Sequence, residues 1–442
     1  MIVKLLLDRK REGGELAPEE IRALIDAYTR GDVPDYQMAA FAMAVCCRGM
    51  TAAETHALTD AMQHSGECLA WPGPSADKHS TGGIGDKLSL IIQPLAASCG
   101  ISVPSLAGRG LGLTGGTVDK LESIPGYNAC LSLDDFKRVV AACGVSIAAQ
   151  TAEIAPADKK LYALRDVTGT VPSIPLIVGS ILSKKLAEGA GTLVFDVKCG
   201  AGAFMKTRAE ACALARALVD GARAAGRRAA ALVTAMDEPL GWTVGNALEV
   251  EEAIGVLGVG ALGDRALPWP RQARPLPDDV VELSVELAAR MVSLEKDVSL
   301  EEARAMCRTN LANGAAYARF AEMVKLHGGD LDAFLGREAC PQTAVVAAAD
   351  GVVARIDAQK VAQAAFELGA GRSQATDAID PAAGVRLLVT HGDKVQAGQP
   401  LAQLYAPVRQ EKVPVAVQLV QEAVEVSSIV PAPKPLILEV VE

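Results

Sequence analysis

The sequence predicts an α/β protein with α+β character, built as a small all-helical domain, a large α/β domain on a mainly parallel sheet, and a C-terminal α+β domain. Three observations predict it. The first 66 residues carry helix signals alone. From about residue 75 to 235 short apolar strands alternate with amphipathic helices. After about residue 335 short strands and tight polar turns take over.

In the first part, Pro18 followed by Glu19 and Glu20 marks a helix start, and Gly31 and Gly49 suit helix ends. Thr51 and Glu54 form a capping box that opens a segment running to Gly66. Tyr36 to Cys47 is apolar nearly all round, which calls for burial inside the domain or against another subunit. In the second part, Ile84–Ser98 reads as a helix stopped by Gly100, and Val103–Leu106 as a strand. Leu133–Cys143 is a helix, Val145–Ala149 a strand, Thr192–Lys198 a strongly buried strand, Arg208–Ala224 a helix and Ala229–Ala235 a strand. Lys159–Ala187, with Pro172 and Pro175, interrupts this alternation and is expected to pack with the N-terminal helices. In the third part Val352–Ile356, Ala383–Thr390 and Leu401–Leu404 read as strands, with Gly392–Gly398 a polar turn. These readings assign residues 1–66 with 160–188 to the helical domain, 70–159 with 189–334 to the α/β domain, and 335–442 to the last. That domain is hammerhead-like, as in biotinyl and lipoyl carriers. Lys394 lacks the flanks of a modified lysine, so a packing role is expected.

Composition narrows the function. The 442 residues are 50% hydrophobic and only 4% aromatic, with a net charge of −10. That balance argues against general affinity for nucleic acid or anionic membranes, so any anion pocket is built locally from a few cations and helix ends. Ten cysteines are scattered without a Cys-x-x-Cys pair, which disfavours zinc and fits reduced thiols. Met1–Arg11 turns charged after Leu7 and reads as no signal peptide, and no apolar run reaches membrane-spanning length. A soluble, cytoplasmic protein is expected.

Two glycine-rich loops carry the chemistry. Asp77-Lys78-His79-Ser80-Thr81-Gly82-Gly83-Ile84-Gly85-Asp86-Lys87 and Gly108-Arg109-Gly110-Leu111-Gly112-Leu113-Thr114-Gly115-Gly116-Thr117 each precede a helical segment. Glycine at a helix start lets an anion approach unpaired N–H groups, and Lys78, Ser80, Ser89 and Thr117 can add a charge and hydroxyls. Gly110-x-Gly112-x-x-Gly115 matches the dinucleotide fingerprint. However, Asp134 and Asp135 start a helix where a ribose-binding acid should end a strand, so no organic cofactor is expected. No Gly-Lys-Ser/Thr follows the spacing of a P-loop.

Lys78–Gly83 and Gly108–Glu122, together with Ala155–Thr168, Ser180–Lys185, Asp196–Met205 and Gly245–Val250, resemble the signature of thymidine and pyrimidine-nucleoside phosphorylases over essentially the whole chain. The resemblance implies reversible phosphorolysis of uridine, thymidine or deoxyuridine, with inorganic phosphate as co-substrate. A thymidine-specific enzyme and a phosphoribosyl-transferring enzyme of the same fold are the alternatives. It implies phosphate against Lys78, Ser80, Ser89 and Thr117, with the backbone of Ser105 to Ala107. It also implies the base against Arg165, Ser180 and Lys184, and His79 as general acid or donor to the pyrimidine O2. A structural potassium ion is implied on carbonyls of Gly85, Lys87, Leu240 and Thr243 with the Glu252 carboxylate, as is a homodimer through the helical domain. Lys184 and Lys185 are adjacent, so one is expected to face solvent. Asp119 and Glu122 are expected to hold Arg109 or loop amides. Two departures stand out: Ala107 where the family has serine, which implies weaker phosphate affinity, and Leu113 where relatives often carry histidine. Arg227-Arg228 and the Ser183-Lys184-Lys185 stretch lean the reading towards the broader bacterial enzyme.

Overall fold

The computed structural model describes all residues except 1, 111, 260–276, 339, 375–376, 430–431 and 433–434, so Leu111 of the second loop lies outside the described residues. Four helices open the chain: α1 (Val3–Arg11), α2 (Pro18–Arg30), α3 (Asp35–Arg48) and α4 (Ala52–Gln63). Then come β1 (Ala76–Ser80), α5 (Leu88–Ser98), β2 (Val103–Ala107), the one-turn α6 (Thr117–Leu121), α7 (Leu133–Cys143) and β3 (Val145–Ala149). They are followed by α8 (Pro156–Thr168), α9 (Ile174–Ala187), β4 (Thr192–Cys199), α10 (Arg208–Ala224), β5 (Arg228–Ala235), β6 (Thr243–Val244) and α11 (Asn246–Leu257). Helices α12 (Asp278–Lys296), α13 (Leu300–Ala312), α14 (Ala315–Leu326) and α15 (Leu331–Leu335) lead to the C-terminal part. That part holds β7 (Gln342–Val346), β8 (Gly351–Ile356), α16 (Ala358–Leu368), β9 (Gly384–Leu387), β10 (Lys394–Val395), β11 (Pro400–Tyr405), α17 (Val413–Ala423), β12 (Val424–Ser427) and β13 (Ile437–Val441).

The capping box at Thr51 forms, and its acid does more than cap. Glu54 accepts from the Thr51 amide at 2.8 Å, from the Leu16 amide at 2.9 Å and from Lys10 Nζ at 2.8 Å, which ties α4 to α1 in the interior. On α3, Met38, Phe41, Ala42 and Val45 are buried, while Tyr36 and Met43 remain exposed. Helices α8 and α9 join the N-terminal helices through Ala157, Leu161 and Leu176. The far side of α9, from Val178 to Leu186, packs with α10 and β4. Helix α9 is therefore the wall shared by the helical and α/β parts.

The main sheet runs β1-β4-β5-β13, parallel except for β13. All eight residues of β4 are buried, as befits a strand covered on both faces. Strands β2 and β3 pair in parallel and meet β1 through a Ser75–Ser102 bridge. The C-terminal part holds the antiparallel sets β10-β8-β12 and β6-β9-β11-β7. Two strands cross the sequence-based divisions: β6 joins β9, and β13 leaves the C-terminal part to pair with β5. No local signal in Ile437–Val441 names its partner. The helix expected from Ile84 begins at Leu88, because Gly85 at φ +70° and the residues beside it form a turn.

One buried histidine makes a prediction about stability. His327 stacks on Tyr127 with centroids 4.5 Å apart. Its Nδ1 lies 2.9 Å from the Asn128 carbonyl, so Nδ1 carries the proton and Nε2 accepts from the Ser146 hydroxyl at 2.9 Å. Burial pushes its pKa below the ordinary 6.5, against a smaller opposing effect of the Asn128 bond. The unfolded chain therefore binds a proton below that value which the native ring refuses. The stability is complete above the unfolded value and falls as pH drops towards the native one. The thermal midpoint is expected to fall as pH is lowered from about 7 to about 5, and His327→Gln should flatten part of that slope. An identical slope in the variant would remove His327 as a cause.

Candidate active site

Strand β1 divides the site. Side chains alternate along a strand, so Lys78 and Ser80 point to one face and Asp77 and His79 to the other. Parallel pairing sets Ser80 beside Asp196, and Lys198 follows two residues later on the same face. Helix α9 covers the opposite face, where Lys185 Nζ meets Asp77 at 2.6 Å. Ser80, Asp196 and Lys198 lie towards the carboxyl ends of their strands, the usual position for ligands on parallel sheets.

On the first face, Lys78 is buried, with Nζ 3.5 Å from Ser89 Oγ and 3.7 Å from Asp196. Both contacts are long, so this ammonium is not saturated. Ser80 donates to Asp86 at 2.6 Å and accepts from the Gly82 amide at 3.1 Å. Burial raises the Asp86 pKa, but Lys78, Lys198 and Lys120 outweigh it and hold the carboxyl well below its usual range. Lys120 also donates to the Asp86 carbonyl at 2.7 Å and pairs with Glu249 at 2.6 Å. The lysine cluster is thus larger than the sequence reading had it. Lys198 and Asp196 lay in a quoted motif without a role, and their period-two spacing from a strand was the signal that could have found them.

Ser105 and Leu106 differ from expectation. The Ser105 hydroxyl is buried and accepts from Gln93 at 2.7 Å, while the Leu106 amide donates to Glu188 at 2.7 Å. Ala107 is half-buried at the end of β2, and its carbonyl accepts from the Gln150 amide. In the second loop, the Gly110 and Gly116 amides donate to Asp119 at 2.7 and 2.9 Å, so an internal carboxylate fills that nest. These glycines serve the loop's own packing: a Cβ on Gly110 would lie 2.4 Å from the Gly116 nitrogen. Arg109 pairs with Glu122, as expected. Asp119 also pairs with Arg372, whose backbone exchanges two hydrogen bonds with Gly112, so the C-terminal part braces this loop. Thr117 opens α6, half-buried. Leu113 packs against the C-terminal core, so it is a packing residue here. Asp134 and Asp135 lie in the first turn of α7, which agrees with rejecting the dinucleotide fingerprint.

On the second face, Lys184 pairs with Asp158 and donates to Ser180 Oγ at 3.0 Å. Arg165 is buried and donates to the carbonyls of Thr170, Leu176 and Val171 at 3.3, 3.0 and 2.8 Å. The structure therefore joins Lys184 to Ser180 directly, while the named bonds of Arg165 go to main chain. Lys185 corrects an expectation: neither lysine is freely solvated. Lys185 is buried on Asp77, Glu188 and the Leu106 carbonyl, and Lys184 is partly accessible. By strand alternation His79 shares the face of Asp77. Burial, then Lys185, Lys184 and Lys78, push its pKa well below 6.5, so its ring is neutral near pH 7. A neutral imidazole suits a hydrogen-bond donor better than a general acid.

The expected cation position holds a side chain. Lys87 Nζ donates to Leu240 O at 2.7 Å, Thr243 O at 3.1 Å and Glu252 at 2.8 Å. Glu252 is buried on α11, and the Gly85 carbonyl accepts the Lys87 amide. The ligand set implied for potassium does not fit a metal in this chain. Arg228 likewise lies at the opening end of β5, bonded to Thr192 and Glu295, at the opposite end of the sheet from the site.

Comparison with known proteins gives three consecutive family matches. Residues 4–66 match the glycosyl transferase family helical bundle domain, 73–317 its a/b domain, and 352–427 the pyrimidine nucleoside phosphorylase C-terminal domain. A pyrimidine-nucleoside phosphorylase of Geobacillus stearothermophilus is 44% identical over 432 residues, 96% of each chain. A thymidine phosphorylase of Agrobacterium fabrum is 44% identical over 414 residues, 92% of each. The crystal structure of an anthranilate phosphoribosyltransferase from Thermus thermophilus superimposes with a TM-score of 0.52 at 20% identity, covering 73% of this chain and 98% of that one, a likeness of fold.

Proposed function

The chain belongs to the glycosyl transferase family, with the pyrimidine nucleoside phosphorylase C-terminal domain, and on that premise we propose that it catalyses reversible phosphorolysis of pyrimidine nucleosides. A phosphate oxygen attacks C1′ as the C1′–N1 bond breaks with inversion. The bond's electron pair passes to the leaving base, which takes a proton, and the sugar leaves as its α-1-phosphate. The observation that carries this reading is the division of β1, with Lys78, whose contacts are long, beside Ser80 on one face and His79 on the other. An anion held on the first face and a base held by Ser180, Lys184 and Arg165 would flank a sugar between them. Ser89 and Thr117 add hydroxyls on the phosphate side. Charge grows on the departing ring, so fixed donors from Lys184, Arg165 and neutral His79 bind the transition state more tightly than the nucleoside.

Phosphate and base groups rise from different parts of the chain, so hinge closure between those parts would bring them together. The exposed Tyr36 and Met43 on α3 support a homodimer through the helical bundle. Ten free thiols support a cytoplasmic setting. Among the described residues no helix is long and apolar enough to cross a membrane.

The test is the ultraviolet change of uridine, thymidine and deoxyuridine on adding phosphate. Turnover is expected with phosphate alone, and a requirement for pyrophosphate and magnesium would overturn the reading. Within it, Ala107→Ser is expected to lower the KM for phosphate by the worth of one hydrogen bond, about 0.5–1.5 kcal/mol or roughly two- to tenfold. An unchanged KM would count against a phosphate contact at this position.

A further inference from the structure

We infer that Lys87 is a built-in cation that braces the first phosphate loop, and that this chain works without a monovalent metal. An ammonium has three donors, and all three are matched here: the Leu240 carbonyl at 2.7 Å, the Thr243 carbonyl at 3.1 Å and the Glu252 carboxylate at 2.8 Å. Lys87 is fully buried and Glu252 nearly so. The remaining capacity of the carboxylate is also used. Its second oxygen accepts from the Trp242 amide at 2.8 Å, and the Thr243 hydroxyl donates to the oxygen that holds Lys87. A metal ion would have to share these oxygens with an ammonium already in contact with them, with a single carboxylate to offset two positive charges.

The position gives the cation a purpose. Lys87 immediately precedes α5, which carries Ser89, and follows the turn that holds Asp86 under Ser80. Its amide bonds Gly85 O, and the Leu240 amide bonds Ile84 O at 3.0 Å. Gly85 packs on the same oxygens, since a Cβ there would lie 2.7 Å from Leu240 O. Ammonium and turn together clamp the loop to the segment leading into α11. The link is covalent on one side, so the cation cannot dissociate, and its effect is independent of salt composition.

The full-length protein should be exchanged into tetramethylammonium buffer and titrated with potassium and, separately, sodium. Thermal midpoint and phosphate KM are the readouts, with ionic strength held constant by tetramethylammonium. The native chain is expected to show no midpoint shift and no change in KM, since screening is fixed at constant ionic strength. Lys87→Thr vacates the three oxygens. Its midpoint is expected to rise with potassium, and its phosphate KM to worsen by about 10- to 100-fold without potassium and recover with it, the scale of losing an outer support. A native midpoint or KM that improves with potassium would overturn the inference, as would a folded Lys87→Thr indifferent to it. If Lys87→Thr does not fold, the native titration decides. The midpoint needs no turnover, so this test can fail while phosphorolysis stands, and the reverse.

Discussion

Lys78→Met is expected to lower kcat/KM for phosphate by about 10²–10³-fold, the loss that follows removal of one preorganised donor from a reacting oxyanion. The KM for nucleoside should move far less. The buried lysines differ in how fully they are occupied. Lys87 and Lys185 each hold partners at 3.1 Å or less, whereas the contacts of Lys78 are 3.5 and 3.7 Å. A buried ammonium with slack partners is poised for an incoming anion. Methionine fills similar space, and Asp196 keeps Lys198 at 2.8 Å, so the fold has a counter-charge left. Steady-state rates with phosphate varied at saturating nucleoside make the measurement. An unchanged kcat/KM would take Lys78 out of the site.

Lys185→Met is expected to act on stability instead, lowering it by about 3–5 kcal/mol. Its ammonium is the counter-charge for Asp77 at 2.6 Å and Glu188 at 2.9 Å, both buried, and it also bonds the Leu106 carbonyl at 3.0 Å. Burial opposes the charge on Lys185, but Asp77 and then Glu188 outweigh it and raise its pKa. Burial also raises the pKa of Glu188, so the cluster has little tolerance for a second uncompensated carboxylate. Methionine would leave both acids without a cation. Urea unfolding measures the loss, and adding Asp77→Asn should recover part of it by removing one stranded charge. A single-variant loss below about 1 kcal/mol would show that the charges are solvated after all.

The first glycine-rich loop was legible because its residues are contiguous and its strand alternates. Once Ala76–Ser80 is a strand, Lys78 and Ser80 must share a face. The helices and parallel strands followed from periodicity and caps, as at Thr51. The support of the second loop was not legible. Arg372 and Asp119 are far apart in sequence, and no local pattern announces such a pair. The same holds for β13, whose mostly apolar run suits any open sheet edge.

The sequence by itself determined the family, the order of the three parts and the residues of the loop proposed to face phosphate, because these rest on contiguous motifs and on the fixed periods of helix and strand. Only the tertiary structure decided what each lysine does. Neighbouring helix residues diverge by about 100°, so Lys184 and Lys185 had to separate, but packing against Asp77 and Glu188 chose which one went inside. Lys87 found its oxygens on a segment more than 150 residues away in sequence, a distance across which only folding brings charge to carbonyl.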